Sequence, residues 1–458
     1  MKILITGATG LIGKKLIESL MLNGYTDINI LTRNKKRAIK TLGFPVKPYL
    51  WDLKNKTVEY DAFLDRDIII HLAGESIAAK RWTEKQKKII LDTRVNSARL
   101  ILDGIEKTNS LPQKIISASA IGIYGNRGDE KINESSQIGS DFLAGVCKEW
   151  EDVFNEHLLA SKIQMLQVRI GLVLDLQEGA LAKMLPAFKT GIAGKIGTGK
   201  QYMSWVHIQD LVSIFMFLIQ YQGSKKVFNA TSPNPVSNIQ FTKTLAGILK
   251  KPSFLPAPAS ALKVVLGEMA TLLLEGQKVF PQSLLDINFE FQFPNLDIAL
   301  QNILLDDLNG HKRLIQYQWF NKSKSEVFEF FKDEKNLEKL TPDFLGFKVL
   351  NKSTDNIQQG TIINYTLKVH QIPIKWKTEI TEYQPDEYFV DNQLSGPYHK
   401  WYHQHHFIEL VNGTLMKDDV LYKVPLGKFG KLIAGRFVDN DVKKIFSYRF
   451  DMIQNFFD

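Results

Sequence analysis

Three glycines near the amino terminus could let the main chain hold a phosphate group. Gly7, Gly10 and Gly13 stand between an apolar run, 1–6, and a segment with helical spacing, 14–22. The first glycine permits a tight turn after a strand, the second lets the backbone approach a diphosphate, and the third lets the helix pack closely on a sheet. The N–H groups at the start of that helix would face the phosphates. The pattern therefore predicts a dinucleotide-binding site.

The residues after the second apolar run bear on which dinucleotide binds. In sheets that bind NAD, a carboxylate commonly ends the second strand and accepts hydrogen bonds from the adenosine ribose. Here the run 28–32 is followed by Arg33, and Lys36 and Arg37 lie just beyond it. A carboxylate would repel a 2′-phosphate, whereas a guanidinium can bind one through two hydrogen bonds. We predict NADP(H) rather than NAD; the alternative is a solvated basic loop.

The glycine turn needs a sheet to hold it, and the first half of the chain has the pattern of one. Apolar runs alternate with helical stretches, which predicts βαβ units in an α/β doubly wound parallel sheet. The predicted strands include 28–32, 68–73, 114–119 and 165–174, and the predicted helices include 83–106 and 141–160. Ligands of such sheets bind at the carboxyl ends of the strands, so residues that follow strands are candidates for the site.

The character of the sequence changes near residue 250. A proline-rich stretch is followed by helical segments, and we interpret 251–305 as a small lobe of the first domain. Farther on, two short helices, alternating strands within 360–424 and an amphipathic helix at 438–456 predict an α+β helix-grip fold. A curved sheet around that helix would enclose an apolar cavity. The predicted domains are 1–308 and 309–458.

Composition and charge narrow the class of protein. The 458 residues carry a formal net charge of +9 and one cysteine. The basic residues are spread along the chain, so no nucleic-acid binding is predicted. A single cysteine excludes a disulfide framework and favours a reducing compartment, and no apolar stretch approaches the ~20 residues of a membrane-spanning helix. We predict a cytoplasmic protein that acts on a small molecule.

Several motifs of the first part occur together, in order, in one known family. The pieces are 6–13, 31–33, 71–77, 80–83, 117–125, 142–151, 204–207, 276–281 and 291–294. With them, residues 1–308 resemble the extended short-chain dehydrogenase/reductases, and among these an atypical epimerase-like family. The resemblance implies a Rossmann-like sheet and an NAD(P)(H) cofactor.

The resemblance also extends the predicted nucleotide-binding set. It implies that Asp52 and Leu53 lie near the adenine and that residues 72–74 lie beneath the adenine ribose. The full predicted set is Gly7, Thr9, Gly10, Leu11, Ile12, Gly13, Arg33, Asp52, Leu53, Leu72, Ala73, Gly74 and Ser117.

The chain departs from the superfamily at the positions that usually carry the chemistry. That superfamily moves a proton with a tyrosine, whose pKa is lowered by a lysine, and with a serine. Ala120, Leu143 and Cys147 stand at these positions here. Leucine cannot donate a proton, and a lone cysteine on a helix is more often a core residue. The predicted replacements are Tyr124, Ser119 and His207, each of which could instead be structural.

Residues after the predicted strand 68–73 are candidates for the substrate side. Glu75, Arg81 and Trp82 follow that strand, and Trp205 lies two residues before His207. Arg81 could hold an anionic substrate, because the carboxyl ends of the strands are where such sheets bind ligands. The alternative is that it forms a surface salt bridge.

The last part of the chain carries a second group of motifs. With 336–342, 389–393, 396–397, 401–405 and 418–422, residues 309–458 resemble START-like (SRPBCC) ligand-binding domains. Trp401, His403 and His405 alternate and so share one face of a strand. With Trp376 they are predicted to line a pocket for a hydrophobic ligand with one polar end. Two histidines at this spacing could hold a metal, but no carboxylate or cysteine follows at ligand spacing, so no metal is predicted.

Two functions fit these observations. The first is an NADP-dependent oxidoreductase or epimerase of the short-chain dehydrogenase type, tethered to a hydrophobic-ligand-binding domain. The alternative is a protein that binds NADP(H) without turnover, as a sensor or scaffold, with a lipid-like ligand in the second domain. The missing serine, tyrosine and lysine favour the alternative, whereas the glycine turn is compatible with both.

Overall fold

The computed structural model describes residues 1–369, 372–424 and 435–457. The chain divides into two units. The first comprises residues 1–38 and 46–304, and the second comprises residues 39–45 and 305–458. The domain boundary at residue 308 stays a prediction.

The strands up to residue 308 form one large sheet and three short strand pairs. They are β1 (Lys2–Thr6), β2 (Asp27–Thr32), β3 (Lys47–Asp52), β4 (Thr57–Val58), β5 (Ile68–His71), β6 (Lys114–Ala120), β7 (Lys131–Ile132), β8 (Gln164–Ile170), β9 (Leu172–Leu174), β10 (Tyr202–Met203), β11 (Trp205–His207), β12 (Val227–Ala230), β13 (Val236–Ser237) and β14 (Lys278–Val279). The helices are α1 (Leu11–Leu22), α2 (Lys35–Leu42), α3 (Glu84–Thr108), α4 (Phe142–Asn155), α5 (Gly179–Thr190), α6 (Ile208–Gln220), α7 (Asn238–Ile248), α8 (Ala259–Leu266), α9 (Thr271–Leu274), α10 (Gln282–Asp286) and α11 (Leu296–Leu308).

The large sheet confirms the predicted doubly wound fold. Its order is β12-β8-β6-β5-β1-β2-β3-β4, and its strands are parallel except where β4 pairs antiparallel with β3. The chain runs outward from β1 to β3 and then crosses to β5 on the other side of β1. The strand order therefore reverses between β1 and β5, which is where an open α/β sheet leaves a crevice for a ligand.

Buried apolar side chains explain why β1 forms the centre of this sheet. Ile3, Leu4 and Ile5 are completely buried, as expected of a strand with neighbours on both edges and helices on both faces. Thr6 at the carboxyl end pairs with Leu31 on one side and His71 on the other. The carboxyl ends of three adjacent strands are thus aligned beside the glycine turn.

The segment after residue 250 is held against the start of α6 and the residue before β11 by polar contacts. The Asp210 carboxylate, at the start of α6, accepts hydrogen bonds from the N–H groups of Gln292 (2.8 Å) and Phe293 (3.0 Å). The Ser204 hydroxyl donates to the Gln277 carbonyl (2.7 Å) and accepts from the Val279 N–H (2.9 Å). The predicted proline-rich stretch has little regular structure, and the helical stretch after it is broken into short helices.

The second unit is an antiparallel sheet with a long helix, as predicted. Its elements are β15 (Lys312–Phe320), α12 (Lys324–Lys332), α13 (Glu334–Lys339), β16 (Lys348–Lys352), β17 (Ile362–Val369), β18 (Ile372–Gln384), β19 (Tyr388–Ser395), β20 (Lys400–Leu410), β21 (Gly413–Lys423) and α14 (Gly435–Phe457). The sheet order is β15-β21-β20-β19-β18-β17-β16. Phe446 and Ile453 of α14 are buried in clusters with residues of the sheet. Residues 370–371, inside the predicted strand region, lie outside the described residues.

Among the described helices, none combines the length and the apolar character that a membrane crossing requires.

The close packing of α1 on the glycine turn makes a testable prediction. A Cβ atom at Gly13 would lie 2.4 Å from the Gly7 carbonyl oxygen and 2.7 Å from the Ala8 Cα, both main-chain atoms that cannot rotate away. We expect Gly13→Ala to lower the free energy of unfolding by about 1–3 kcal/mol in urea denaturation. Gly145→Ala on α4 is the matched control, because a Cβ there would meet nothing within 4 Å. The control should be stabilised by roughly 0.5–1 kcal/mol; equal losses in both variants would contradict the packing argument.

Candidate nucleotide and ligand sites

The glycine turn leaves the start of α1 uncovered. Gly7 has a φ of +68°, and a Cβ there would lie 2.8 Å from the Leu72 carbonyl, so the turn touches the segment after β5. Gly10 is the N-cap of α1 and has no side chain to cap the helix; its N–H donates to the Gly7 carbonyl (3.0 Å). The first turn of α1 carries no acidic residue. Free N–H groups at a helix N-terminus form a site for an anion such as a diphosphate.

The remaining predicted residues of the turn are accessible. Thr9 is exposed, and Leu11 and Ile12 are half-buried, whereas Gly13 is buried under the turn. The accessible residues could contact a nucleotide, as predicted. Gly13 would contribute indirectly, because it lets α1 pack closely on the glycine turn.

A buried hydrogen-bond network joins the ends of β1 and β5. The Thr6 hydroxyl oxygen accepts from the N–H groups of Leu72 and Ala73 (3.2 Å each), which leaves its own proton for Nδ1 of His71 (2.7 Å). The Ser97 hydroxyl donates to a main-chain carbonyl of α3 (2.9 Å), so Nε2 of His71 is the donor to Ser97 (3.2 Å). Burial lowers the pKa of His71 to about 3, which keeps the ring neutral. No pattern in the sequence indicated this network, because its members lie on three separate elements.

Arg33 is placed where the cofactor prediction needs a free cation. It is exposed immediately after β2, and none of the residues that the structure describes forms an ion pair with it. Its neighbours are engaged: Lys35 pairs with Glu59 (2.8 Å), and the Asn34 side chain accepts from the Arg37 N–H (2.9 Å) at the start of α2. The Arg33 guanidinium is therefore available to an anionic group.

Asp52 ends β3, and its side chain stabilises the turn that follows. Its carboxylate accepts from the Asn55 N–H (3.2 Å) and the Lys54 N–H (2.8 Å), and also from the Asn55 side chain (2.7 Å). These hydrogen bonds lower the pKa of Asp52. They tie the turn after β3 and leave Leu53 half-buried beside it. The residues predicted beneath the ribose follow β5 with different exposure: Leu72 half-buried, Ala73 buried and Gly74 exposed.

The three positions that usually carry the chemistry hold two residues without an acidic side-chain proton and one buried thiol. Ala120 ends β6, and Leu143 and Cys147 lie on α4. Burial raises the pKa of the Cys147 thiol to about 12, so it is not a thiolate at neutral pH. It packs in a cluster with Ile123 and Val279, as a small core residue would.

Two of the predicted replacements belong to one buried polar network. The Tyr124 hydroxyl donates to the Asn229 side-chain oxygen (2.7 Å) and accepts from Arg169 (2.9 Å). Arg169 also forms a buried two-point ion pair with Glu151 (2.9 and 2.7 Å), and Ser119 donates to the same carboxylate (2.6 Å). Tyr124 is completely buried, and burial raises the pKa of its phenol. Both hydroxyls therefore already have partners, and the network joins β6, α4, β8 and β12.

The third replacement, His207, is buried at the start of α6. Its Nδ1 accepts from the Gln209 N–H (3.1 Å), its ring stacks on Phe293 at 3.9 Å, and burial lowers its pKa to about 4. Trp205 beside it is completely buried, and its indole N–H donates to the Asn234 carbonyl (3.2 Å). These contacts are those of core residues. Ser117, predicted near the nucleotide, is likewise buried within β6.

The predicted substrate-side residues divide into exposed and structural ones. Trp82 is buried, donates to the Ile77 carbonyl (2.8 Å) and packs edge-on against Phe142. Arg81 is exposed, and a Cβ at Gly267 would lie 2.9 Å from its Nε, so Arg81 rests on the small lobe. Glu75 is half-buried.

The structure adds Arg94, a residue that the sequence analysis missed. Its guanidinium donates to the carbonyl oxygens of Glu75 (3.0 Å) and Ile90 (2.9 Å) and lies over the Trp150 ring. A Cβ at Gly74 would lie 3.2 Å from its Cζ. Burial lowers the pKa of Arg94, while Cys147 and Glu75 act in the opposite direction. The Arg94 guanidinium, on α3, thus lies near Cys147. Cys147 itself occupies the position where the superfamily has a lysine.

In the second unit the four predicted ligand residues lie together. Along β20, Trp401, His403 and His405 are buried while the residues between them are half-buried, as period-two alternation predicts. Trp376 meets Trp401 edge-on with ring centroids 5.4 Å apart, and the two imidazoles are 3.8 Å apart. Burial lowers the pKa of His405 to about 3.

Strand pairing brings a carboxylate to the two histidines. Asp418 on β21 stands directly opposite His405, and its Oδ1 lies 2.8 Å from His403 Nε2 and 2.8 Å from His405 Nδ1. Arg449 of α14 approaches the same oxygen at 3.8 Å. Burial alone would raise the pKa of Asp418, but Arg449 and the histidines hold it well below its usual range. The sequence spacing did not reveal Asp418, because the contact depends on the register of the two strands.

A separate groove of about 840 Å³ opens at the end of the second unit. Charged and polar residues at the start of α12 line one side of it, and Phe330, Phe456 and Phe457 line the other. It does not include the residues that were predicted to contact a ligand.

Family models match three segments of the chain. Residues 3–231 match the NAD dependent epimerase/dehydratase family, and residues 257–303 match a domain of unknown function, DUF1731. Residues 321–446 match the polyketide cyclase/dehydrase and lipid transport family.

Individual proteins and a solved structure resemble the first part of the chain. The Arabidopsis thaliana epimerase family protein SDR39U1 homolog, chloroplastic, is 36% identical over 66% of this chain and 87% of its own length. The Bacillus subtilis epimerase family protein YfhF is 34% identical over 67% of this chain and 99% of its own length. The crystal structure of human epimerase family protein SDR39U1 (isoform 2) with NADPH is 28% identical, with a TM-score of 0.59 over 66% of this chain and 99% of that chain. The chain therefore belongs to the NAD dependent epimerase/dehydratase family, with a C-terminal domain of the polyketide cyclase/dehydrase and lipid transport type.

Proposed function

We propose that the first unit binds NADP(H) and acts as an oxidoreductase or epimerase of the short-chain dehydrogenase type. The observation that carries this proposal is the uncovered N-terminus of α1 together with Arg33, a cation without an ion-pair partner among the described residues. The main-chain N–H groups would hold the diphosphate, and Arg33 would bind the 2′-phosphate. The human relative whose structure contains NADPH supports this choice.

Arg94 would supply the positive charge that Cys147 does not. Its guanidinium lies beside Gly74 and near Cys147, on the side of the sheet where the nicotinamide end of the cofactor is expected. A guanidinium there could donate to ribose hydroxyls without being consumed in the reaction. Glu75 and Arg81 are then the candidates for contact with a small-molecule substrate.

A second function is favoured by a specific observation: the hydroxyls of Tyr124 and Ser119 already have buried partners, and Leu143 has no proton to give. In that case the first unit would bind NADP(H) without turnover, as a sensor or scaffold. Fluorescence titration with NADPH followed by assays with a panel of carbonyl compounds separates the two functions. An epimerase returns its cofactor to the starting oxidation state, so the assays must follow epimerised product as well as NADPH oxidation. Binding with neither would favour the sensor.

For the second unit we propose a hydrophobic ligand with one polar end. Trp376 and Trp401 would contact the apolar part, and His403 and His405 the polar end. The lipid-transport description of the matching family supports this class of ligand. The cytoplasmic location stays a prediction, and the Arabidopsis relative is described as chloroplastic.

The role of Arg33 can be tested by comparing two cofactors. We expect Arg33→Ala to weaken NADPH binding by about 10- to 100-fold and NADH binding little, because only NADPH carries the 2′-phosphate. Isothermal titration with each nucleotide measures both affinities. Arg99→Ala, another exposed arginine but on α3, is the control and should change neither. Equal losses of NADPH and NADH affinity in Arg33→Ala would remove the case for phosphate selectivity.

The role of Tyr124 can be tested by removing only its hydroxyl. We expect Tyr124→Phe to lower the free energy of unfolding by about 1–3 kcal/mol, because Arg169 and Asn229 each lose a buried partner. The affinity for NADPH should be unchanged. Turnover measured on the folded variant decides the chemistry: loss of turnover assigns the transferred proton to Tyr124, and an unchanged rate excludes that phenol as the acid.

The ligand of the second unit can be sought by mass spectrometry of an organic extract of the purified full-length chain. We expect a compound with a long apolar part and one polar group. Its amount should fall in Trp401→Ala, which removes a buried ring from the ligand-facing strand, and stay constant in Arg99→Ala. Extracts that are identical for the two variants would count against these lining residues.

A further inference from the structure

Three side chains of the second unit converge as ligands of a metal ion would. One atom each of His403, His405 and Asp418 lies within 4.8 Å of the other two, and all three residues are buried. One nitrogen of each imidazole lies 2.8 Å from the same carboxylate oxygen. The cluster lies in the interior rather than on a solvated face, where chance groupings of acidic residues are common.

Hydrogen bonding accounts for only part of this arrangement. His403 Nε2 forms a hydrogen bond with Asp418, but His405 Nδ1 has no hydrogen-bond partner among the described residues, although it is equally close. A buried imidazole nitrogen without a partner is costly, so an atom that the chain does not itself provide is expected there. The two imidazole nitrogens and the carboxylate oxygen could all coordinate one cation placed between them.

The local structure holds these groups in place without a ligand. His403 and His405 are two residues apart on β20, so they share a face, and the register of β21 sets Asp418 directly opposite His405. A metal site needs such fixed ligands, because their arrangement selects the ion and its geometry.

We infer that His403, His405 and Asp418 bind one divalent transition-metal ion of the Zn²⁺ class. Two imidazoles and a carboxylate form a ligand set of zinc sites that keep an open position, and of related first-row metal sites. The open position would take water or the polar end of a bound molecule. This inference does not rest on nucleotide binding, and it replaces the expectation of no metal that the sequence spacing produced.

The positive charge of Arg449 opposes the binding of a cation at this cluster. Its Nη2 is 3.8 Å from the Asp418 oxygen, and its Nε has no hydrogen-bond partner in the described part of the chain. A second buried carboxylate, Asp391, stands directly opposite His403 on β19, and its Oδ1 likewise lacks a partner there. Arg449 and a metal ion would therefore compete for the same carboxylate, so a change at Arg449 offers a second way to test the site.

The test uses the full-length chain after treatment with a chelator. Co²⁺ titration, followed through its visible d–d absorption, should reach one equivalent, and Zn²⁺ should displace the signal. His403→Gln and Asp418→Asn should weaken Co²⁺ binding by more than about 100-fold, because each removes a ligand. His406→Gln is the matched control: it changes the next histidine of β20, whose ring stacks on Tyr388 on the opposite face, and should leave binding unchanged.

Arg449→Met keeps the test decisive if a ligand variant fails to fold. Removal of the competing guanidinium should tighten Co²⁺ binding by about 10-fold or more, whereas a cluster that serves only as an ion-pair network would gain no affinity for metal. Thermal unfolding with and without Zn²⁺ gives a second readout, since a bound ion raises the Tm. Absence of stoichiometric binding in the unchanged chain and in Arg449→Met, or equal binding in His403→Gln and His406→Gln, would overturn the inference.

Discussion

The contact between the main chain of the glycine turn and the start of α1 is the constraint on which the first unit depends. A Cβ at Gly13 would lie 2.4 Å from the Gly7 carbonyl oxygen, and one at Gly7 would lie 2.8 Å from the Leu72 carbonyl. Only glycine allows three main-chain segments to meet this closely. The meeting places the uncovered N–H groups of α1 over the ends of β1 and β5. A buried hydrogen bond between Thr6 and His71 joins those two strand ends.

The residues near the turn that could take part in a reaction differ from those of the superfamily. Where the superfamily has a serine, a tyrosine and a lysine, the chain has Ala120, Leu143 and Cys147, and a buried ion pair between Arg169 and Glu151 organises the neighbouring hydroxyls. A buried ion pair of this kind is costly to break because each charge would be left without its partner. The chain thus keeps the three glycines of the turn, while other residues stand at the three positions that usually carry the chemistry.

The second unit depends on strand register in the same way that the first depends on glycine. Alternation along β20 places Trp401, His403 and His405 on the inner face, and one specific pairing with β21 adds Asp418 to them. A shift of the register by one residue would turn Asp418 to the other face of the sheet. The pairing of β20 with β21 therefore decides whether Asp418 joins the histidines and the aromatic residues beside them.

The sequence by itself determined the doubly wound sheet, the glycine turn, the basic residue after β2 and the inner face of β20, because each follows from short-range spacing and residue type. It also located the missing serine, tyrosine and lysine. Only the tertiary structure decided that Tyr124 and Ser119 already have buried partners, that Arg94 lies beside Gly74, and that Asp418 joins the histidines. These contacts join residues on different strands and helices, and their distances depend on crossovers and register that no local pattern specifies.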